Sequence, residues 1–141
     1  MCPQEWNSRQ WTPVFRDARR MGMREYPKPI KRRLRELMIE AYERELHREL
    51  SRLDQHFTAW RRGEISNGEM SDHVHRYETG PSRDLFKHYS HTPHDLSVAY
   101  AIVTGILSSD EIPADVLDAI EGPLQFYQDL KERNELREPG T

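Results

Sequence analysis

The chain has 141 residues, of which 32% are charged, and a formal net charge of -3; its mean hydropathy is -0.93. That length suits one domain burying about two thirds of its unfolded surface, and apolar residues at regular spacing exclude a disordered chain. The single cysteine, Cys2, excludes an internal disulfide, and the longest apolar run, residues 98–107, falls far short of the ~20 residues of a membrane span. No secretory leader pattern opens the chain, so a cytoplasmic protein is expected.

Residues 1–25 carry no sustained period and read as an N-terminal appendage. Met21 and Met23 precede the first helical pattern, so translation starting there is one reading. A short helix over residues 14–20 that docks Trp6 and Trp11 is the other. Tyr26-Pro-Lys-Pro29 then holds the chain extended, because residues before proline avoid helical angles. Pro29 fits the first turn of a long helix over residues 30–62, closed by Gly63.

This helix carries two apolar stripes. Ile30, Leu34, Leu37, Met38 and Ala41 form the first; Ile39, Tyr42, Leu46, Leu50, Leu53, Phe57 and Trp60 form the second. At 3.6 residues per turn they point about 130° apart. A single core satisfies one direction, so the front stripe needs a second neighbour. The expected neighbour is a late helix of the same chain; the alternative is the front stripe of a second copy. Ile39, Leu46, Leu53 and Trp60 recur every seven residues, which suits an antiparallel helix alongside.

Ser66-Asn-Gly-Glu69 predicts a capping box opening a second helix to about residue 78, with Met70, Val74 and Tyr77 on one face. Gly80-Pro81 is expected to stop it and to start a third helix through Leu85, Phe86 and Tyr89. Thr92-Pro93-His94-Asp95 predicts the start of a fourth helix, Leu96 to Leu107, apolar nearly all round and therefore central. A fifth helix starts at Ala114 and is expected to break or kink at Gly122-Pro123 before Leu124, Tyr127 and Leu130. The fold class is all-α: a five- or six-helix bundle organised around the long helix. Residues 26–131 form the helical domain and 132–141 a polar tail.

Charge is graded along the chain. Residues 1–35 hold ten Lys/Arg against three Asp/Glu, whereas residues 108–141 hold three against nine. The helix start at Lys28, Lys31, Arg32, Arg33 and Arg35 opposes the macrodipole, at a few tenths of a kcal/mol per residue. Asp115, Asp118, Glu121 and Asp129 of the last helical region are the expected counter-charges. A nucleic-acid backbone is the alternative partner.

Among seven histidines, Asp72, His75, His88 and His91 are the set that helix spacing brings nearest to convergence. The spacing matches no metal signature, so no metal or cofactor is expected. One string carries a catalytic precedent: Arg83-Asp-Leu-Phe-Lys-His88, followed by Tyr89. An arginine and a histidine at this separation on a helix of a small all-α bundle resemble the motif of HEPN-domain ribonucleases. That resemblance implies metal-independent cleavage of RNA, with Arg83 holding a phosphate and His88 moving the 2′-hydroxyl proton.

The favoured expectation is a small helical interaction protein without catalytic activity. It would meet a protein partner, or itself, through the front of the long helix: Lys28, Lys31, Arg32, Arg35, Leu34, Leu37 and Ala41. The alternatives are a ribonuclease using Arg83 and His88, and a nucleic-acid-binding accessory protein.

Overall fold

A computed structural model describes residues 25–140; the expectations for residues 1–24 lie outside the described residues. The architecture is all-α, and no strand occurs among the described residues. Helix α1 (Lys28–Arg61) runs unbroken for 34 residues, about 51 Å at 1.5 Å per residue. Pro29 lies in its first turn, where a missing N–H costs nothing. Its other end is a Schellman turn: Gly63 takes φ +74°, its N–H donates to the Trp60 carbonyl and the Glu64 N–H to the Ala59 carbonyl.

Helix α2 (Asn67–Tyr77) opens on the expected box, with the Glu69 N–H donating to Ser66 Oγ at 3.1 Å. Gly80-Pro81 does not stop the rod that follows. Residues Glu78–Ser82 form a π-helical turn that leads directly into α3 (Arg83–His91). A wider turn carries the chain past Pro81, which has no N–H to give and whose ring crowds the preceding carbonyls.

Helix α4 (His94–Val103) begins two residues earlier than expected, on Pro93. After a short 3-10 turn at Ser109–Glu111 come α5 (Ala114–Ala119) and α6 (Glu121–Glu132). The break between these two falls at Ile120 (φ -105°, ψ 23°), not at Gly122-Pro123. Pro123 sits in the first turn of α6, where its missing donor removes no helical hydrogen bond.

One core joins these pieces. It contains Ile30, Leu34, Met38, Ala41, Tyr42 and Leu46 of α1, Tyr89 of α3, and Val98, Ala99 and Ala101 of α4, with Leu107, Ile112, Val116 and Ile120 from the last third. The front stripe is therefore satisfied inside the chain: α4 and α5 both pack on α1. Leu34 is 1% exposed, Ala41 is fully buried, and Leu37 packs partly against the same core. This corrects the reading of Leu34 and Ala41 as a partner surface, because core side chains cannot meet a partner while the fold is intact. The second stripe starts in the core at Tyr42 and Leu46 and is left open farther along, where Leu50 and Trp60 stay 47% and 39% exposed. Its partners are α2, which packs chiefly on α1 and on its own continuation, and α3.

Candidate functional site: two clefts flanking one helix crossing

The buried face of α1 does not end at Ala41. In steps of three or four residues it runs Ile30, Leu34, Met38, Ala41, Glu45, Glu49, and the last two are carboxylates only 4% and 7% exposed. Here α3 lies across α1, with a cleft on each side of the crossing.

The first cleft is polar, with a volume of about 330 Å³. Glu45, Arg48, Glu49 and Arg52 of α1 face Asp84, Leu85 and His88 of α3, Tyr100 of α4 and the chain beyond α6. The Tyr89 hydroxyl donates to Glu45 in a buried hydrogen bond. Arg48 reaches both acids, with Nη2 3.5 Å from Glu45 Oε1 and Nε 3.4 Å from Glu49 Oε1, while Arg52 Nη1 lies 3.0 Å from Glu49 Oε1. The Arg48 contacts are long beside the 2.7–2.9 Å of tight charge-assisted bonds. Burial accordingly raises the Glu45 carboxyl above its usual range, against the opposing pull of Tyr89 and Arg48. Burial also lowers the His88 imidazole, which favours its neutral form. His88 Nε2 is shielded from solvent and has no hydrogen-bond partner among the described residues. The ring rests edge-on to Tyr89 and 5.2 Å from Tyr100.

The chain after α6 makes one wall of this cleft. Asn134 adopts φ +58° in a second Schellman turn, its N–H donating to the Lys131 carbonyl and that of Glu135 to the Leu130 carbonyl. Turned back in this way, the segment takes a bond from Tyr100 Oη to the Arg137 carbonyl at 2.7 Å. Gly140 lies against Arg48, where a Cβ would stand 3.0 Å from Nη2.

The second cleft is an open apolar groove on the other side of α3. Tyr42, Leu46 and Leu50 form one wall, and Tyr77 and Phe86 the other. Leu50 and Phe86 each remain 47% exposed. Glu78, Ser82 and Arg83 complete the lining, and neither Glu78 nor Arg83 has an ion-pair partner among the described residues.

Arg83 and His88 are thus separated. Five residues along a helix turn them about 140° apart; Arg83 lines the apolar groove and His88 the polar cleft. Within one chain they do not share a reaction centre. At the helix start, Lys31 Nζ pairs with Glu25 at 2.9 Å and Arg33 with Glu36 at 3.1 Å. Among the described residues no ion pair joins this turn to Asp115, Asp118, Glu121 or Asp129; the long-range pair that forms instead is Arg44–Glu111 at 2.8 Å. Lys28 and Arg32 are exposed and Arg35 half-buried.

No three His, Cys, Asp or Glu side chains among the described residues are placed to hold a metal ion. His56 and His73 instead stack at 3.6 Å between α1 and α2. No described helix is long and apolar enough to cross a membrane. No protein-family model, curated protein or solved structure matches this chain.

Sequence reasoning missed Glu45, Glu49 and Tyr100. The available signal was two acids continuing an apolar stripe at four-residue steps, each followed three residues later by an arginine.

Proposed function

We propose that this chain is a small cytoplasmic interaction protein without a catalytic role, and that it works by pairing with a second copy through the groove between α1 and α2–α3. The observation that carries this reading is the half-exposed pair Leu50 and Phe86 facing each other across an apolar groove. Along α1 the residues Leu46, Leu50, Leu53, Phe57 and Trp60 alternate steps of four and three, the spacing of a seam meant for a neighbouring helix. Helix α2 closes only one side of that seam.

The charges on the rim favour a second copy as the occupant. Glu78 and Arg83 stand five residues apart beside the groove, and a two-fold axis passing midway between them would set Glu78 of each copy opposite Arg83 of the other. A two-fold interface is self-complementary by construction, so one acid and one base without ion-pair partners among the described residues suffice for two ion pairs.

Sedimentation velocity over a hundredfold concentration range tests the reading. The full chain is expected to pass from monomer to dimer, whereas Leu50→Glu and Phe86→Glu stay monomeric and folded. Glu78→Arg and Arg83→Glu should each weaken the dimer tenfold or more, and the double reversal should restore it. A wild-type chain that stays monomeric throughout, or charge reversals that fail to compensate, would overturn the proposal.

A further inference from the structure

Helix α6 carries Leu124, Phe126, Tyr127 and Leu130, yet none of its side chains is fully buried. Leu124 and Tyr127 pack partly against the core. Phe126 and Leu130, four residues apart, share another side of the helix, where Phe126 stays 53% exposed and Leu130 half-buried.

Acids lie beside this apolar strip. Going round the helix, Asp129 stands about 60° past Phe126, with Glu121 and Glu132 farther on. At the α5–α6 junction Asp118 and Glu121 line an open recess that holds no basic side chain. Residues 114–132 hold five Asp/Glu against one Lys. Asp118, Glu121 and Glu132 make no ion pair among the described residues.

We infer that the cover for this side of α6 is residues 1–24 of the same chain, docked through Trp6, Trp11 and Phe15. Their composition fits: beside those aromatic residues they hold five Arg against two Asp/Glu, the complement of α5 and α6. The point of attachment fits as well. Tyr26 is 8% exposed, and its hydroxyl donates to Asp95 Oδ2 at 2.9 Å at the start of α4. Helix α6 packs on α4. Burial, and after it the Asp95 charge, raise the Tyr127 hydroxyl, so Tyr26 and Tyr127 share one carboxylate as a neighbour. The chain thus enters the described fold beside α6. From Trp11 to Glu25 it reaches about 46 Å when extended, against about 18 Å for the whole of α6. Tethered at Tyr26, the segment meets α6 at an effective concentration on the order of millimolar, which a second copy does not match in dilute solution.

The single cysteine, Cys2, lies four residues before Trp6 and takes a nitroxide spin label on the full chain. In dilute solution the label is expected to at least halve the amide signals of α6, relative to the reduced sample, and to leave those of α2 unchanged. Phe126→Ser should restore the α6 signals, and so should Trp6→Ser combined with Trp11→Ser. Asp118→Lys with Glu121→Lys should restore them at least in part. Phe86→Glu, in the dimer groove, should leave the loss in place, which separates this contact from the groove. The inference is overturned if α6 keeps its signals in the labelled wild type, or if any of the three sets of restoring variants leaves the loss unchanged. It is also overturned if isotope-labelled chain mixed with spin-labelled chain loses the same signals, because the segment then comes from another copy.

Discussion

Glu45 is held on the core face of α1 by the hydroxyl of Tyr89, and that bond ties α3 to α1. A buried hydrogen bond to a charged group contributes about 1.5–3 kcal/mol, so Tyr89→Phe is expected to lower unfolding stability by that amount in urea at neutral pH. The acid and the histidines pull the pH profile in opposite directions. The folded chain holds a proton on Glu45 above the ordinary carboxylate range, where the unfolded chain has released it. Stability therefore falls as pH rises through that window. His94 behaves in reverse. Burial first, and then the nearby Arg35, lower its imidazole to about 4, with Asp95 opposing them. Between pH 6.5 and 4 the unfolded chain takes up a proton that the folded chain refuses, so stability falls as pH drops, by about 3 kcal/mol over the full window. His88 adds to this loss with the same sign. Urea midpoints measured from pH 7 to 4 should therefore decline, less steeply in His94→Gln and more steeply in Glu45→Gln. Equal slopes in all three proteins would contradict this assignment of the buried charges.

Helix ends show how local chemistry translates into elements. Gly63 is the left-handed residue of the α1 Schellman turn, and no atom lies within 4 Å of where its Cβ would be. Gly63→Ala therefore tests conformation alone and should cost about 1 kcal/mol, read as a lower urea midpoint with an unchanged slope. This end, the Ser66 box and the Pro29 start were legible in the sequence because each is set by two or three adjacent residues. The elements that were misread depend on distant ones. Gly80-Pro81 looks like a stop signal, yet a π turn lets the helix pass the proline, and the continued rod carries Tyr89 to its bond with Glu45. Asn134 reads as part of a polar tail; only the contact of Arg137 with Tyr100 reveals that it folds the chain back. The site was hidden for a related reason. Glu45 and Glu49 are polar letters at buried positions, and a search for apolar periodicity ends where they begin.

On the scale of the whole molecule, the rotational mismatch along α1 divides the fold into a body and an arm. In the body the front of α1, together with α4, α5 and α6, encloses one core. The arm is the back of α1 with α2, two antiparallel helices joined by Met70, the stacked His56–His73 rings and the Trp60–Asn67 bond at 2.8 Å. Two helices bury one shared seam and leave their outer faces wet, so the arm has less to lose on opening than the body. Amide exchange should show this directly. In dilute solution, protection across Asn67–Tyr77 is expected to be at least tenfold lower than across His94–Val103, or ~1.4 kcal/mol. The proposed dimer changes that ordering, because the second copy covers Leu50, Tyr77 and Phe86 and must be released before the arm opens. Raising the protein concentration should increase protection in α2 and leave α4 unaffected, and Leu50→Glu should abolish the increase. If α2 is already as protected as α4 at the lowest concentration, the arm is stabilised from within the chain and its exposed seam needs no partner.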